Sequence, residues 1–165
     1  MRRVLCLLGL LLLGLMALAT SAQAATPAAS VTLQPLTLDS LPTLQGRFAG
    51  ERHAVIYWSL TCVPCRDELA ELGKVGGVDK LPISLVNTDA PSQIKEVRAF
   101  LTRHHLAELD NWLFADAIPE RLRQAIDDDW YGELPRSYAV DRQGRRSSHS
   151  GKTDIARLVS WLNAK

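Results

Sequence analysis

The sequence contains few cysteines and has no large excess of charge of either sign. Three cysteines occur among 165 residues, and 19 basic against 18 acidic residues give a formal net charge of +1 at pH 7. A nearly neutral chain lacks the basic surface field that attracts nucleic acid or anionic membranes. The sequence also shows no internal repeat. These absences favour one ordinary globular domain with no nucleic-acid partner.

A long apolar run occupies the N-terminus. Residues 1–3 include two arginines, an apolar stretch follows from Val4 to about Leu18, and residues 22–24 read Ala-Gln-Ala. This order is typical of a secretory signal peptide, so we predict that residues 1–24 direct export to the periplasm and are cleaved. An uncleaved membrane anchor is the alternative.

Cleavage would leave a mature chain with two cysteines, because Cys6 would be removed with the peptide. Loss of Arg2 and Arg3 would leave 17 basic against 18 acidic residues, a net charge of −1. A disulfide between Cys62 and Cys65 would close only two intervening residues. Such a short loop restrains the unfolded chain little, so we interpret the pair as functional rather than structural.

The two cysteines lie at a predicted strand-to-helix turn. The apolar run 54–58 predicts a buried strand, and residues 66–72 have the apolar spacing of a helix. Pro64 suits the first helical turn, which places Cys62 at or just before the helix N-terminus. Unpaired N–H groups there stabilise an anion, so we expect the pKa of Cys62 to lie below the free value of about 8.5. Cys65, one turn further on, is close enough to form a disulfide with Cys62.

Strands and helices alternate along the rest of the predicted domain, which spans residues 31–165 after a flexible segment over 25–30. We predict an edge strand at 31–38, a core strand at 81–87, a helix at 91–105, a strand at 111–115, a helix at 119–127, a hairpin of 136–141 with 145–150, and a helix at 153–162. This order predicts an α/β fold with a central mixed sheet flanked by helices. The acidic run 127–129 is interpreted as a solvated helix end.

Two motifs carry a resemblance to a known family. The first is the run from Trp58 to Cys65 after a core strand, and the second is residues 132–144, which contain Leu-Pro and Val-Asp-Arg-Gln-Gly. Together they resemble the thioredoxin-like thiol:disulfide oxidoreductases of the TlpA/ResA/CcmG family. The resemblance implies a three-layer thioredoxin-like sandwich in which Cys62 attacks, Cys65 resolves and Pro135 is a cis-proline beside the pair.

The resemblance also implies a partner-binding surface around the cysteines and a nearby carboxylate. The implied partner-contacting residues are Trp58, Thr61, Val63, Pro64 and Leu134. Glu68 matches an active-site glutamate of the ResA branch, where it would accept a proton or modulate the thiol pKa. The other interpretation of Glu68 is a solvated helix charge.

The activity implied by the family is reduction of partner disulfides, as in cytochrome c or copper-site maturation. Its substrates would be cysteine-containing exported proteins, and a membrane thiol reductase would donate electrons. We expect a monomer with no metal and no cofactor beyond the redox-active disulfide. A periplasmic thiol oxidase and a thioredoxin-fold copper chaperone are the alternatives, although a chaperone favours C-x-x-x-C over the C-x-x-C found here.

Overall fold

The computed structural model describes residues 31–164. The predicted signal peptide at residues 1–24 and the predicted flexible segment at 25–30 lie outside the described residues, as does Lys165. Over residues 31–164, no helix combines the length and the apolar composition needed to cross a membrane.

Strands and helices alternate along the described chain, as the sequence predicts. The strands are β1 (Gln34–Leu36), β2 (His53–Trp58), β3 (Ile83–Asn87), β4 (Asp110–Phe114), β5 (Arg136–Val140) and β6 (Arg146–Ser150). The α-helices are α1 (Leu41–Gly46), α2 (Val63–Leu72), α3 (Ile94–Arg103), α4 (Pro119–Ile126) and α5 (Ile155–Asn163). Short 3-10 helices occur at Val78–Lys80 and Pro91–Gln93.

The strands form one mixed sheet in the order β1-β4-β3-β2-β5-β6. Strands β1, β4, β3 and β2 are parallel, whereas β5 is antiparallel to both β2 and β6. Every residue of β2 and β3 is buried, because helices cover both faces of the sheet there. The predicted central mixed sheet is thereby confirmed. Strand β1 lies at one edge, as expected, and β6, whose residues are all exposed, lies at the other.

Side chains of β2 alternate between the two faces of the sheet. Ile56 and Trp58 pack on one face with α2, α3 and α5, whereas Val55 and Tyr57 pack on the other with α1 and α4. Each fully buried large apolar side chain contributes about 1.5–3 kcal/mol of transfer free energy. The three layers confirm the predicted sandwich. Helices pack on both faces of β2, so the position of its carboxyl end is held by the core on each side.

Strand β1 is shorter than the predicted span 31–38, and the cause is local. The Ser40 hydroxyl donates to the carbonyl of Pro35 (2.9 Å) and accepts from the N–H of Thr37 (2.8 Å), so the chain turns directly after β1. Helix α1 was not predicted, because six residues with two buried leucines are too short to show helical periodicity.

The ends of two helices meet closely. The helix predicted over 91–105 begins as a 3-10 turn and ends at Arg103, and His105 then adopts a positive φ of 58°. Gly73 ends α2 beside this turn, where a Cβ atom would come within 1.9 Å of the His104 carbonyl oxygen. Only glycine therefore allows α2 and α3 to approach at this point.

Candidate functional site

The predicted site lies at the carboxyl end of β2, in the middle of the sheet. The loop from Ser59 to Cys62 connects β2 to α2. Tyr57 pairs with Arg136 of the antiparallel β5, so Pro135 lies at the same end of the sheet. The parallel neighbour β3 also ends here, because Trp58 pairs with Asn87. Three loops therefore converge around the cysteines.

Cys62 is the N-cap residue of α2, as predicted from the sequence. Its sulfur accepts a hydrogen bond from the backbone N–H of Cys65 at 3.2 Å, and Pro64 occupies the first turn. A disulfide joins Cys62 to Cys65, whose Cα atoms are 5.3 Å apart. Cys65 is only 1% exposed, whereas Cys62 is partly exposed. Cys62 is therefore the sulfur that a partner can reach.

After reduction, Cys62 should react with an alkylating agent before Cys65 does between about pH 6 and 8. Cys62 is the more accessible thiol, and the N–H groups that begin α2 stabilise its thiolate. Mass spectrometry of briefly alkylated protein measures which of the two cysteines is labelled first. In the control, protein unfolded in urea, both cysteines should be labelled equally. Faster labelling of Cys65 in the folded protein would reverse the assigned order.

The exposed surface around Cys62 includes three of the predicted partner-contacting residues. Thr61, Val63 and Pro64 are exposed, with Val63 at 55%. Trp58 is different: it is fully buried and packs on Phe100 with ring centroids 5.1 Å apart. The prediction that Trp58 contacts a partner is therefore wrong, because β2 directs this side chain into the core under α3.

The loop before β5 supplies the remaining predicted site residues. The Leu134–Pro135 peptide bond is cis, which confirms the prediction for this bond. Pro135 is buried, and its carbonyl oxygen accepts from the N–H of Gly151 at 2.9 Å. Leu134 is half-buried and packs against the cores on both faces of the sheet.

Glu68 lies on α2 one turn beyond Cys65 and is fully buried. Its Oε2 accepts from the N–H of Thr153 at 3.3 Å, and its Oε1 has no hydrogen-bond partner among residues 31–164. Burial raises the pKa of Glu68, and the hydrogen bonds from Thr153 and the charges of His149 and Lys152 offset only part of this effect. The solvated-charge interpretation of Glu68 is therefore wrong.

Glu68→Gln should increase stability at pH 7 but not at pH 4. The folded-state pKa is raised, so the wild-type protein loses stability as pH rises from the usual carboxyl range through that raised value, and glutamine removes this loss. Urea denaturation of the wild-type protein and the variant at both pH values measures the difference in their free energy of unfolding. Glu71→Gln is the control, since Glu71 is half-exposed and pairs with Lys152 on the surface. Equal effects of Glu68→Gln at the two pH values would contradict the prediction.

A buried carboxylate that sequence reasoning missed lies below the loop before Cys62. Asp89 is 8% exposed and accepts hydrogen bonds from Ser59, Leu60 and Asn87. Polar residues at the carboxyl ends of the neighbouring strands β2 and β3 were the available signal. Parallel strands bring such residues to the same edge of a sheet.

A second missed network holds the start of β5. Arg136 pairs with Asp127 at 2.7 Å, and both side chains are nearly buried. The Tyr138 hydroxyl also donates to Asp127, at 2.8 Å. Burial alone would raise the pKa of Asp127, but the bonds from Arg136 and Tyr138 outweigh it and lower that pKa. The interpretation of residues 127–129 as a solvated helix end is thus wrong for Asp127.

The part of the chain that the structure describes contains no group of three or more His, Cys, Asp and Glu side chains arranged to hold a metal ion.

No protein-family model matches the sequence, and no curated protein matches it. Solved structures do match. A secreted disulfide oxidoreductase of Mycobacterium tuberculosis, described as homologous to E. coli DsbE, superposes with a TM-score of 0.53 at 14% identity, over 73% of this chain and 86% of that chain. A thioredoxin-family thiol:disulfide interchange protein of Chlorobium tepidum gives 0.51 at 20% identity, over 84% and 97%.

A thioredoxin-like protein in its oxidised form also matches, with a TM-score of 0.51 at 14% identity, over 72% of this chain and 85% of that chain. At these identities the likeness concerns the arrangement of strands and helices. The mixed sheet, the helices on both of its faces and these neighbours together show that the chain has a thioredoxin-like fold.

Proposed function

We propose that this chain is an exported thiol:disulfide oxidoreductase that reduces disulfides in partner proteins. The observation that carries the proposal is the accessible Cys62 at the N-terminus of α2, bonded to the buried Cys65. A sulfur in that position is available for attack and is stabilised as a leaving or attacking thiolate.

Reduction of a partner would proceed in two exchange steps. The Cys62 thiolate attacks one sulfur of the partner disulfide, the partner S–S bond breaks, and the other partner sulfur leaves as a thiolate that takes up a proton. The Cys65 thiol then loses its proton and attacks the Cys62 sulfur, which releases the second partner thiolate. Two electrons pass to the partner, and the Cys62–Cys65 disulfide forms. The same two exchange steps, run in the opposite direction, would oxidise a partner dithiol to a disulfide.

Glu68 is proposed as the group that accepts the proton of Cys65. It lies on the same helix one turn away, it is buried, and its raised pKa brings it closer to that of a thiol. The free oxygen Oε1, which has no partner in residues 31–164, leaves capacity for that proton. Thr153 orients the carboxylate through its backbone N–H.

The surface around Cys62 is proposed to bind an extended segment of the partner. Thr61, Val63 and Pro64 provide its exposed side chains, and the backbone at Leu134 would pair with the segment. Pro135 would lie beside the sulfurs without a competing N–H group.

Export is proposed from the N-terminal sequence pattern, and the Mycobacterium tuberculosis neighbour is described as secreted. The proposed location is the periplasm. The proposed substrates are cysteine-containing exported proteins, such as apocytochrome c or copper-site proteins, and a membrane thiol reductase would supply electrons to a monomeric protein.

The reduction potential tests the direction of the proposed reaction. At equilibrium with glutathione, a reductant should remain mostly oxidised, whereas an oxidase should be mostly reduced; a tenfold change in the equilibrium constant corresponds to about 30 mV. The reduced protein should also reduce insulin disulfides. Tight binding of copper(I) without any disulfide exchange would favour the chaperone and contradict the proposal.

A further inference from the structure

Asp89 joins the loop after β3 to the loop that leads to Cys62. Its Oδ1 accepts from the Ser59 hydroxyl at 2.5 Å, and its Oδ2 accepts from the N–H of Leu60 at 2.7 Å and from the Asn87 side chain at 2.8 Å. Within residues 31–164, no Lys, Arg or His nitrogen lies within 4.0 Å of this carboxylate. Neutral donors alone therefore satisfy it.

Ser59 transmits this contact toward Cys62. A serine hydroxyl has one proton, and here that proton is donated to Asp89. The Ser59 oxygen is then left to accept, and it takes the backbone N–H of Thr61 at 3.1 Å and the Thr61 hydroxyl at 2.9 Å. The Ser59 carbonyl oxygen accepts from the N–H of Cys62 at 3.2 Å. Ser59 therefore contacts Asp89 through its hydroxyl and Cys62 through its carbonyl oxygen, so one residue links the carboxylate to the backbone of Cys62.

We infer that Asp89 is a positioning residue for the redox pair, which it holds through Ser59 so that Cys62 stays within bonding distance of Cys65. A fixed loop raises the effective concentration of one thiol at the other, which favours the disulfide over the dithiol. This inference deepens the proposed function and rests on it for its biological meaning.

The experiment measures the equilibrium constant for disulfide formation against a glutathione series in the full chain. Ser59→Ala removes the hydroxyl but keeps the carboxylate, and Asp89→Asn removes the charge and one acceptor. Each variant should lower the constant at least about tenfold, equivalent to a rise of about 30 mV in potential. The double variant should shift no further than Asp89→Asn alone, because both changes act on the same contact between Ser59 and Asp89.

Asp110→Asn is the matched control. Asp110 is also a carboxylate with a nearly buried side chain; it accepts from Gln34, Ser84 and Trp112 and, unlike Asp89, also from a cation, the exposed Arg47 at 3.3 Å. It lies at the opposite end of β3 and β4 from the cysteines, since Ser84 pairs with Asp110 there. The control should lose stability in urea without any change in the glutathione equilibrium.

Wild-type equilibrium constants in both Ser59→Ala and Asp89→Asn would overturn the inference, as would additive shifts in the double variant. If Asp89→Asn fails to fold, Ser59→Ala alone decides, since it deletes one oxygen. Failure of the proposed function is a separate result: the wild-type protein would then show no reduction of insulin disulfides, whatever the variants do to its thiol equilibrium.

Discussion

Cys62→Ser should lower the rate of insulin reduction at least about a thousandfold. A serine hydroxyl is not ionised near neutral pH and cannot form a mixed disulfide, and Cys65 cannot replace Cys62 because it is 1% exposed. The rate with a fixed concentration of reduced protein measures the effect. Circular dichroism of the variant checks that the fold is retained.

Cys65→Ser is the matched variant and should behave differently. The exposed Cys62 remains, so the first exchange step still occurs, but the second step has no attacking thiol. The variant should therefore accumulate a mixed disulfide with its partner. This is a covalent complex that is visible on a non-reducing gel and is cleaved by a reducing agent. A complex trapped through Cys62→Ser instead would reverse the roles of the two cysteines.

Arg136→Met should destabilise the protein by about 3–5 kcal/mol, because it leaves the nearly buried Asp127 with only the more distant cation Arg146, at 3.9 Å. The same guanidinium also donates to the Tyr138 hydroxyl at 3.1 Å and to the Ser150 hydroxyl at 2.6 Å, so one substitution interrupts several bonds. Urea denaturation at pH 7 measures the loss.

Arg145→Met makes the same substitution in an exposed pair with Asp141 and should cost far less stability than Arg136→Met does. The two variants should also differ in acid. Because the folded-state pKa of Asp127 is lowered, its contribution to stability is present above the usual carboxyl range and is lost as pH falls through the lowered value. Arg136→Met should remove much of this acid dependence, and equal losses in the two variants would contradict the assignment of Arg136 to a buried network.

The features that the sequence predicts well depend on local patterns. Strands β2 and β3 are continuous apolar runs, as strands buried on both faces must be. The position of Cys62 at a helix N-terminus followed from Pro64 and from the composition of the residues behind it. Strands and site residues of this kind can be predicted from neighbouring residues alone, without knowing which distant segments pack against them.

Features that depend on contacts between distant segments could not be predicted in this way. Asp89 lies 30 residues from Ser59, and no local pattern predicts that the two side chains are hydrogen-bonded. The burial of Trp58 depends on α3, which supplies Phe100. Asp127 was misinterpreted for the same reason, because its partner Arg136 belongs to the next strand. In each case the environment of the residue depends on a segment that is distant from it in the sequence.

The two outer strands bear on how the protein behaves when it is concentrated. An open sheet edge offers free N–H and C=O groups on which a second chain can add a strand and begin aggregation. Strand β1 contains Pro35, which has no N–H to offer, and β6 is a short strand of exposed polar residues that includes Arg146. Both edges therefore disfavour edge-to-edge pairing between two copies of the chain. We expect the protein to aggregate less at high concentration than one with unprotected sheet edges, which leaves the site in the middle of the sheet accessible.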